Sequence, residues 1–312
     1  MTDTDGIHYQ TWGEGPPVLA LHGLGLESSS FTGLARGVAA LGLQMLAADL
    51  PGFGLTPAPE EPLTPAVLVE PVLDLAARLD AKPLVMGMSL GGRVALEAAL
   101  LEPDLFRGVV MMAPPFPRRN LRQLLWGVRL LNPDVAKRIP VEWLWPLLKR
   151  EADRQEAALT GDLADDWFRR ASKRMIYFIS CPATRWSFVS AARELVLDPA
   201  FGPDGLWTRV EQLGIPAAFV WGDKDRIVGT GNVPFVEDAV PDAFQLHVPC
   251  AGHFDNGPHF LCMEQGAIEA IKLVESAASE AAPTGVPTGP RTVECLTVST
   301  EPHEVEMSGA GG

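Results

Sequence analysis

The sequence lacks several features that would assign it to a specialised class. It has no apolar run long enough to cross a membrane, and its polar, acidic start lacks the basic and apolar segments of a secretory signal. Basic residues are scarce, with 25 Lys and Arg against 39 Asp and Glu, and the net charge of −14 is not that of a nucleic-acid-binding protein. These absences predict a soluble, cytoplasmic protein without a membrane span and without nucleic acid as a partner.

Cysteine is also scarce. The four cysteines show no Cys-x-x-Cys spacing, and they resemble neither a disulfide framework nor a zinc site. They are Cys181, Cys250, Cys262 and Cys295.

The remaining composition is that of an ordinary globular protein, with 47% hydrophobic and 21% charged residues in a chain of 312. Short apolar runs alternate with segments of helical character, which is typical of a parallel sheet covered by helices on both faces. The runs that we interpret as strands are residues 7–12, 18–21, 45–48, 83–86, 108–112, 217–221 and 244–248.

This alternation stops in the middle of the chain. Residues 117–207 contain no comparable strand, and residues 117–174 carry 13 basic and 8 acidic side chains within an otherwise acidic protein. We interpret this segment as an inserted helical cap, whose positive charge either marks solvated helix faces or attracts anionic substrates. Residues 1–116 and 208–280 then form the core. Residues 281–312, with few large apolar groups, are predicted to be a disordered tail.

One stretch combines a strand, a tight turn and a helix around a serine. An apolar run leads into Gly-Met-Ser-Leu-Gly at residues 87–91, and good helix formers follow. The spacing has a steric reason: the serine adopts a strained backbone conformation, and only nearly side-chain-free neighbours let strand and helix pack so closely. The hydroxyl then lies at a helix N-terminus, where N–H groups can receive an oxyanion. Ser89 is therefore a candidate nucleophile, although a serine in this position could also merely cap the helix.

A serine hydroxyl needs a base to activate it. His253 lies in the loop beyond the last predicted strand, at the carboxyl edge of the sheet, where the serine also lies. His259 opens the next helix and is the alternative, whereas His247 lies within a strand. We therefore favour His253 as the base.

Two aspartates in Trp-Gly-Asp-Lys-Asp, residues 221–225, compete to orient that base. Asp223 follows a glycine directly and could merely fix the turn by bonding its own backbone. Asp225 lies deeper in the loop and completes the chain order nucleophile, acid, base. The alternatives remain open at this point.

A second glycine-containing loop, His-Gly-Leu-Gly at residues 22–25, also follows a strand. Its glycines allow a sharp turn that could aim the Leu24 N–H inward. Together with the Leu90 N–H it would form an oxyanion hole, in which each donor contributes about 3 kcal/mol to transition-state stabilisation. The other interpretation is a glycine-rich loop without a catalytic role.

Taken together, the motifs resemble the α/β-hydrolase fold family and follow the family's order between residues 17 and 277. They are His-Gly-Leu-Gly at 22–25, Asp-Leu-Pro-Gly-Phe-Gly at 49–54, Gly-Met-Ser-Leu-Gly-Gly at 87–92, Trp-Gly-Asp-Lys-Asp at 221–225 and Gly-His-Phe at 252–254. The resemblance implies an α/β fold with a mostly parallel eight-stranded sheet, helices on both faces and an inserted helical cap.

The resemblance also implies residue roles. Ser89 would be the nucleophile, Asp225 the acid and His253 the base, with Leu24 and Leu90 as oxyanion donors and neither cofactor nor metal. It therefore predicts a hydrolase that cleaves a small-molecule carboxylic ester through an acyl-enzyme intermediate.

Departures from individual branches narrow this prediction. Haloalkane dehalogenases and epoxide hydrolases carry aspartate where this chain has Ser89, and epoxide hydrolases use cap tyrosines, of which the insertion offers only Tyr177. Carbon–carbon hydrolases usually have a tryptophan-rich segment after the histidine, and this chain does not. Lactonase, thioesterase, perhydrolase, acyltransferase and carbon–carbon hydrolase activities remain alternatives.

Two interpretations come from other classes. Gly-Leu-Gly-Leu-Glu-Ser at residues 23–28 imitates the Gly-x-Gly-x-x-Gly of dinucleotide-binding oxidoreductases, with Asp49 at the ribose position, but Ser28 replaces the third glycine. The fold could also be retained for binding alone. Cofactor absorbance would support the first, and failure to react with a fluorophosphonate would support the second.

Overall fold

A computed structural model describes residues 6–117, 132–139, 146, 150, 180–225, 227–253, 258–279 and 290–293. Its centre is an eight-stranded sheet with the order β1-β3-β2-β4-β5-β6-β7-β8. All neighbouring strands are parallel except β1, which is antiparallel to β3. The strands are β1 Tyr9–Trp12, β2 Pro17–Leu21, β3 Gln44–Ala48, β4 Leu84–Met88, β5 Gly108–Met112, β6 Ala217–Gly222, β7 Phe244–Val248 and β8 Arg291–Thr292. The mostly parallel, eight-stranded sheet expected from the sequence is confirmed.

Helices cover both faces of this sheet. Along β2, Leu19 and Leu21 belong to one apolar core and Val18 and Ala20 to the other, because successive side chains point to opposite faces. Helices α2 and α3 pack in the first core, and α1 and α8 in the second. The helices in the described parts of the chain are α1 Thr32–Ala40, α2 Pro65–Ala77, α3 Leu90–Leu101, α4 Pro133–Arg138, α5 Pro182–Leu197, α6 Leu206–Val210, α7 Val233–Ala239 and α8 Pro258–Ser279.

The described part of the predicted insertion is helical and is joined to the core by buried ions. Arg93 on α3 contacts Glu97 at 2.5 Å and Asp198, which follows α5, at 2.9 Å. Arg209 on α6 also pairs with Glu97. Losing one member would leave a buried charge uncompensated, so this cluster fixes the end of the insertion against the helix that follows Ser89. Much of residues 118–179 lies outside the described residues, and the domain boundaries remain predictions.

The expectation of a disordered tail is wrong for residues 290–293. Arg291 and Thr292 form β8 beside Leu246 and His247 of β7, and the Val293 N–H donates to the His247 carbonyl at 2.8 Å. Val293 is buried in the second core. The low apolar content of the tail as a whole does not prevent one valine and a short ladder from adding a strand at an exposed edge of the sheet. The rest of residues 281–312 lies outside the described residues.

The prediction about cysteine also needs correction. Cys250 is disulfide-bonded, whereas Cys181 and Cys262 are thiols. Sequence spacing did not indicate this bond, because disulfide connectivity cannot be deduced from the positions of cysteines in the sequence. Among the described residues, no helix is long and apolar enough to span a membrane. In the same ranges, no cluster of three or more His, Cys, Asp or Glu side chains could hold a metal ion.

Candidate active site

Ser89 lies at a sharp turn between β4 and α3. Its φ of 52° and ψ of −117° place it in a strained region of backbone space. The neighbouring glycines explain how the turn is accommodated: a Cβ on Gly87 would lie 2.1 Å from the Gly91 carbonyl oxygen, and one on Gly91 would lie 2.0 Å from that of Leu21. The Ser89 N–H donates to the Met112 carbonyl at 2.8 Å, which anchors the turn to β5. The local geometry is therefore the one that the Gly-x-Ser-x-Gly spacing predicts.

The hydroxyl of Ser89 meets His253, although the two residues are 164 positions apart. His253 Nε2 lies 2.9 Å from Ser89 Oγ, and His253 Nδ1 lies 2.7 Å from Asp225 Oδ2. These contacts form because β4, β6 and β7 are parallel and end at the same edge of the sheet. Ser89 and His253 are both buried, with exposed fractions of 8% and 6%. The structure thus forms a hydrogen-bonded chain from serine through histidine to aspartate.

Asp225 is held by its own loop as well as by His253. Its Oδ1 accepts the N–H of Ile227 at 2.8 Å and that of Val228 at 2.9 Å. Burial alone would raise the pKa of Asp225, but the hydrogen bond and charge of His253 and the two backbone donors bring that pKa below its ordinary value. The carboxylate is therefore ionised at neutral pH and is fixed in orientation.

Asp223 has a different partner. Its Oδ1 lies 2.8 Å from Nδ1 of His247 on β7, so its carboxylate does not serve only its own turn. Of the two aspartates left open by the sequence, the structure brings Asp225 and not Asp223 to His253. His259, the alternative base, lies near the start of α8, and its side chain is outside the described part of the structure.

The loop after β2 is organised by a buried neutral histidine. His22 Nδ1 lies 2.8 Å from the Gly23 carbonyl, and its Nε2 accepts the Leu50 N–H at 3.0 Å. Burial lowers the pKa of His22, and the Gly23 hydrogen bond with nearby carboxylates only partly opposes this effect. One nitrogen therefore donates and the other accepts, which fixes the tautomer and the path of the loop. The role of His22 as a support for this loop was not anticipated from the sequence.

Asp49 supports the same region. Its carboxylate accepts the N–H of Ser28 at 2.6 Å and of Leu55 at 2.9 Å, and it contacts His8 Nδ1 at 2.7 Å. Burial raises the pKa of Asp49, but hydrogen bonds from the Leu55 and Ser28 N–H groups and from the Ser28 side chain outweigh burial and lower it. A carboxylate occupied in this way is not presented to a ribose, which counts against the dinucleotide-binding interpretation.

The two expected oxyanion donors lie on segments that border Ser89. A Cβ on Gly23 would lie 3.5 Å from the Ser89 Cβ, which places the loop of Leu24 next to the serine. Leu90 is the first residue of α3, where helix N–H groups lack intrahelical acceptors. Among the described residues, neither the Leu24 nor the Leu90 N–H has a backbone acceptor. Their role as oxyanion donors remains a prediction.

A buried acid behind this site was not predicted from the sequence. Glu264 on α8 borders a small cavity together with His22 and Met88. Burial raises its pKa to about 7, although the Leu34 N–H opposes this shift. No motif includes this position, and only packing against α1 gives the carboxyl its unusual surroundings.

Comparison with known proteins identifies the family. The family model described as alpha/beta hydrolase fold matches residues 16–260. The chain belongs to the α/β-hydrolase fold family. The matched region of this α/β-hydrolase includes Ser89, Asp225 and His253, and the hydrolase class expected from the sequence is confirmed.

Similar proteins agree with this assignment. The chain is 29% identical to a pimeloyl-(acyl-carrier protein) methyl ester esterase of Chromobacterium violaceum over 272 residues, which cover 85% of this chain and 96% of that protein. Among solved structures, an enol-lactonase from Burkholderia xenovorans gives a TM-score of 0.64 at 17% identity, covering 85% of this α/β-hydrolase and 96% of that chain. A thermophilic esterase from Thermogutta terrifontis gives 0.63 at 17% identity, covering 88% and 94%. The structural likenesses support the fold.

Proposed function

We propose that this protein hydrolyses carboxylic esters through an acyl-enzyme intermediate, with Ser89 as nucleophile, His253 as base and Asp225 as the acid that orients the base. The observation that carries this proposal is the buried chain of hydrogen bonds from Ser89 Oγ through His253 to Asp225 Oδ2. A serine hydroxyl is a weak nucleophile by itself, and a base at 2.9 Å supplies the activation that it needs.

In the acylation step, Ser89 Oγ attacks the ester carbonyl carbon while its proton passes to His253 Nε2. The carbonyl oxygen becomes an oxyanion, which would accept hydrogen bonds from the Leu24 and Leu90 N–H groups. When the tetrahedral intermediate collapses, the bond to the alkoxy oxygen breaks and His253 returns the proton to the departing alcohol. The product of this step is an ester between the acyl group and Ser89.

In the deacylation step, water replaces the alcohol. His253 takes a proton from the water as the resulting hydroxide adds to the acyl carbon, and the second collapse releases the acid and restores the Ser89 hydroxyl. Asp225 keeps Nδ1 protonated, so that Nε2 faces the serine, and its negative charge stabilises the imidazolium formed in both steps. The lowered pKa of Asp225 supports this role because the carboxylate stays ionised.

A specific observation favours methyl esters of carrier-bound acyl chains within this substrate class. Two relatives, from Chromobacterium violaceum and Aeromonas salmonicida, match this chain over 96% and 92% of their own lengths. Both are named pimeloyl-(acyl-carrier protein) methyl ester esterases. The basic segment at residues 117–174 suits an anionic partner or acyl chain. Measuring kcat/KM for one methyl ester, free and carrier-bound, at low and high salt tests this second candidate. If kcat/KM is the same for the free and the carrier-bound ester at both salt concentrations, this candidate is contradicted.

The test of the main proposal is covalent labelling combined with an ester screen. We expect the wild-type protein to gain one fluorophosphonate adduct on Ser89 and to hydrolyse small chromogenic esters. Ser89→Ala should do neither, whereas Ser279→Ala, at the exposed end of α8, should behave as wild type. A panel that also contains lactones, thioesters, peroxide as acceptor and a carbon–carbon substrate distinguishes the alternatives. An adduct on another residue would contradict the proposed nucleophile.

A further inference from the structure

The carboxyl of Glu264, on α8, lies against the first turn of α1. A Cβ on Gly33 would overlap Glu264 Oε1 and would lie 3.0 Å from Oε2, so the carboxyl occupies the space that a side chain at position 33 would fill. The Leu34 N–H donates to the same carboxyl. This N–H is one of the groups at a helix start that lack an intrahelical acceptor. A side chain of α8 therefore caps α1, and the missing side chain of Gly33 makes room for it.

Glu264 also lines a small cavity behind the candidate active site. The cavity has a volume of about 10 Å³, which is close to the minimum that holds one water molecule. Its other walls include His22 and Gly23 from the loop after β2, and Met88 and Met112 at the ends of β4 and β5. A cavity of this size leaves little space for water to solvate a charge.

Two of these walls belong to the segments that surround the candidate nucleophile. Gly23 directly precedes Leu24, and Met88 directly precedes Ser89. A Cβ on Gly23 would lie 3.5 Å from both the Met88 carbonyl oxygen and the Ser89 Cβ, so the two segments are in contact. Because the cavity has room for only about one water molecule, a charge on Glu264 would be poorly shielded from both segments.

The surroundings of Glu264 favour its neutral form. Burial raises the pKa of Glu264 to about 7, and the Leu34 N–H opposes this shift. His22, in the cavity wall, is neutral because burial lowers its pKa. Arg36 on α1 is exposed to solvent. The other charged side chains on the neighbouring described segments include Glu27 before α1, which accepts the Ser29 hydroxyl, and Glu269 and Lys272 on α8, which pair with each other.

These contacts suit a neutral carboxyl and leave an ionised one without a compensating positive charge in the cavity. We propose that Glu264 is a positioning residue for the proposed oxyanion donors: its neutral carboxyl caps α1 and closes the cavity beneath the Gly23–Leu24 loop, and its ionisation slows ester hydrolysis. An anion behind that loop would oppose the negative charge that develops on the substrate oxygen. The effect on rate rests on the proposed function, whereas the seating of the carboxyl does not.

The pH dependence of kcat tests the effect on rate. For a small neutral chromogenic ester, we expect the ratio of kcat in Glu264→Gln to kcat in the wild type to rise about threefold to tenfold from pH 6 to pH 8.5. The titration of the base affects both proteins and cancels in this ratio, and KM should stay unchanged. Glu269→Gln, an exposed acid on the same helix, should keep a constant ratio. A constant ratio for Glu264→Gln would overturn the effect on rate.

Moving the carboxyl without removing it is an independent test. A methyl group at position 33 would take the place of Glu264 Oε1, and the carboxyl can move away because it ends a flexible side chain. Gly33→Ala should therefore show the same rise in the kcat ratio as Glu264→Gln. Gly37→Ala, one turn later on α1, would contact Ile268 and no acid, and should keep the wild-type profile. A wild-type profile in Gly33→Ala would overturn the proposed seat.

Infrared spectroscopy separates the two parts of the proposal. In the difference between the wild type and Glu264→Gln, the C=O band of a protonated carboxyl should be present at pH 6 and lost at pH 8.5. Absence of this band at pH 6 would overturn the neutral carboxyl. If the wild type neither hydrolyses esters nor reacts with a fluorophosphonate at any pH, the proposed function and the effect on rate are both overturned. The infrared band still decides the seating in that case.

Discussion

Two Asp–His pairs near the carboxyl ends of β6 and β7 look alike as hydrogen bonds but differ in their surroundings. Asp225 and His253 are 2.7 Å apart, and Asp223 and His247 are 2.8 Å apart. The side chains of the first pair are 3% and 2% exposed, whereas those of the second are 38% and 22% exposed. Only His253 also contacts Ser89. The distance of an Asp–His bond therefore does not distinguish the pair that we propose as catalytic from the other. Burial and a third reacting group do, because exposed pairs are weakened by solvent.

The largest effect should come from removing the Ser89 hydroxyl, which the buried Asp225–His253 pair contacts and the exposed pair does not. Ser89→Ala should lower kcat for small esters by about 10⁶-fold, since base and acid have no nucleophile left to activate. Steady-state hydrolysis with a chromogenic ester measures this loss. Retention of a tenth of the wild-type rate would show that the pairs do not differ in the way we infer.

Neutralising the two aspartates compares the pairs directly. Asp225→Asn should lower kcat roughly 10⁴-fold, because an amide no longer holds the required tautomer of His253. Asp223→Asn, the matched control two residues away, should change kcat little. A larger loss in the Asp223 variant would reverse our assignment of the acid.

The contribution of Glu264 to folding stability should change with pH in the opposite direction from that of Asp225. The pKa of Glu264 is raised to about 7 from an ordinary 4.5, so its contribution to folding is complete below pH 4.5 and is lost as pH rises through 7. The pKa of Asp225 is lowered, so Asp225 contributes to folding stability when the pH is above its ordinary pKa. That contribution is lost as the pH falls through the pKa of the folded protein.

Between pH 4.5 and 8, ionisation of Glu264 should lower the unfolding free energy of the wild type by up to roughly 3 kcal/mol. Glu264→Gln should not show this decrease. Denaturant unfolding across this range measures the difference. Glu269→Gln, which changes an exposed acid on the same helix, should reproduce the wild-type profile. Parallel profiles for the wild type and the Glu264 variant would contradict the raised pKa.

The smallest effect should come from the exposed histidine. His247→Gln keeps the backbone carbonyl that receives Val293 and removes only the ring that pairs with Asp223. We expect a change in unfolding free energy of no more than about 1 kcal/mol and little change in kcat. A kcat loss comparable to that of Asp225→Asn would mean that the exposed pair also participates in catalysis.

Local patterns in the sequence were sufficient for the elements that carry the site. The apolar runs predicted seven strands close to where they occur, and Gly-x-Ser-x-Gly predicted the strained turn at Ser89. These features depend on residues within a few positions of each other, such as the glycines two places from Ser89. The resemblance of ordered motifs then supplied the fold and the candidate residues, because motif order reflects the order of strands in the sheet.

What the sequence by itself determined is the succession of strands, the turn at Ser89 and the family. Only the tertiary structure decided which aspartate meets His253, that His22 supports its loop as a buried neutral ring, and that Glu264 lies in an environment that raises its pKa. It also decided that residues 290–293 complete the sheet, which a composition count had excluded. The physical reason is the same each time: these contacts join residues far apart in the chain, and their energies depend on burial, which packing establishes and local sequence does not encode.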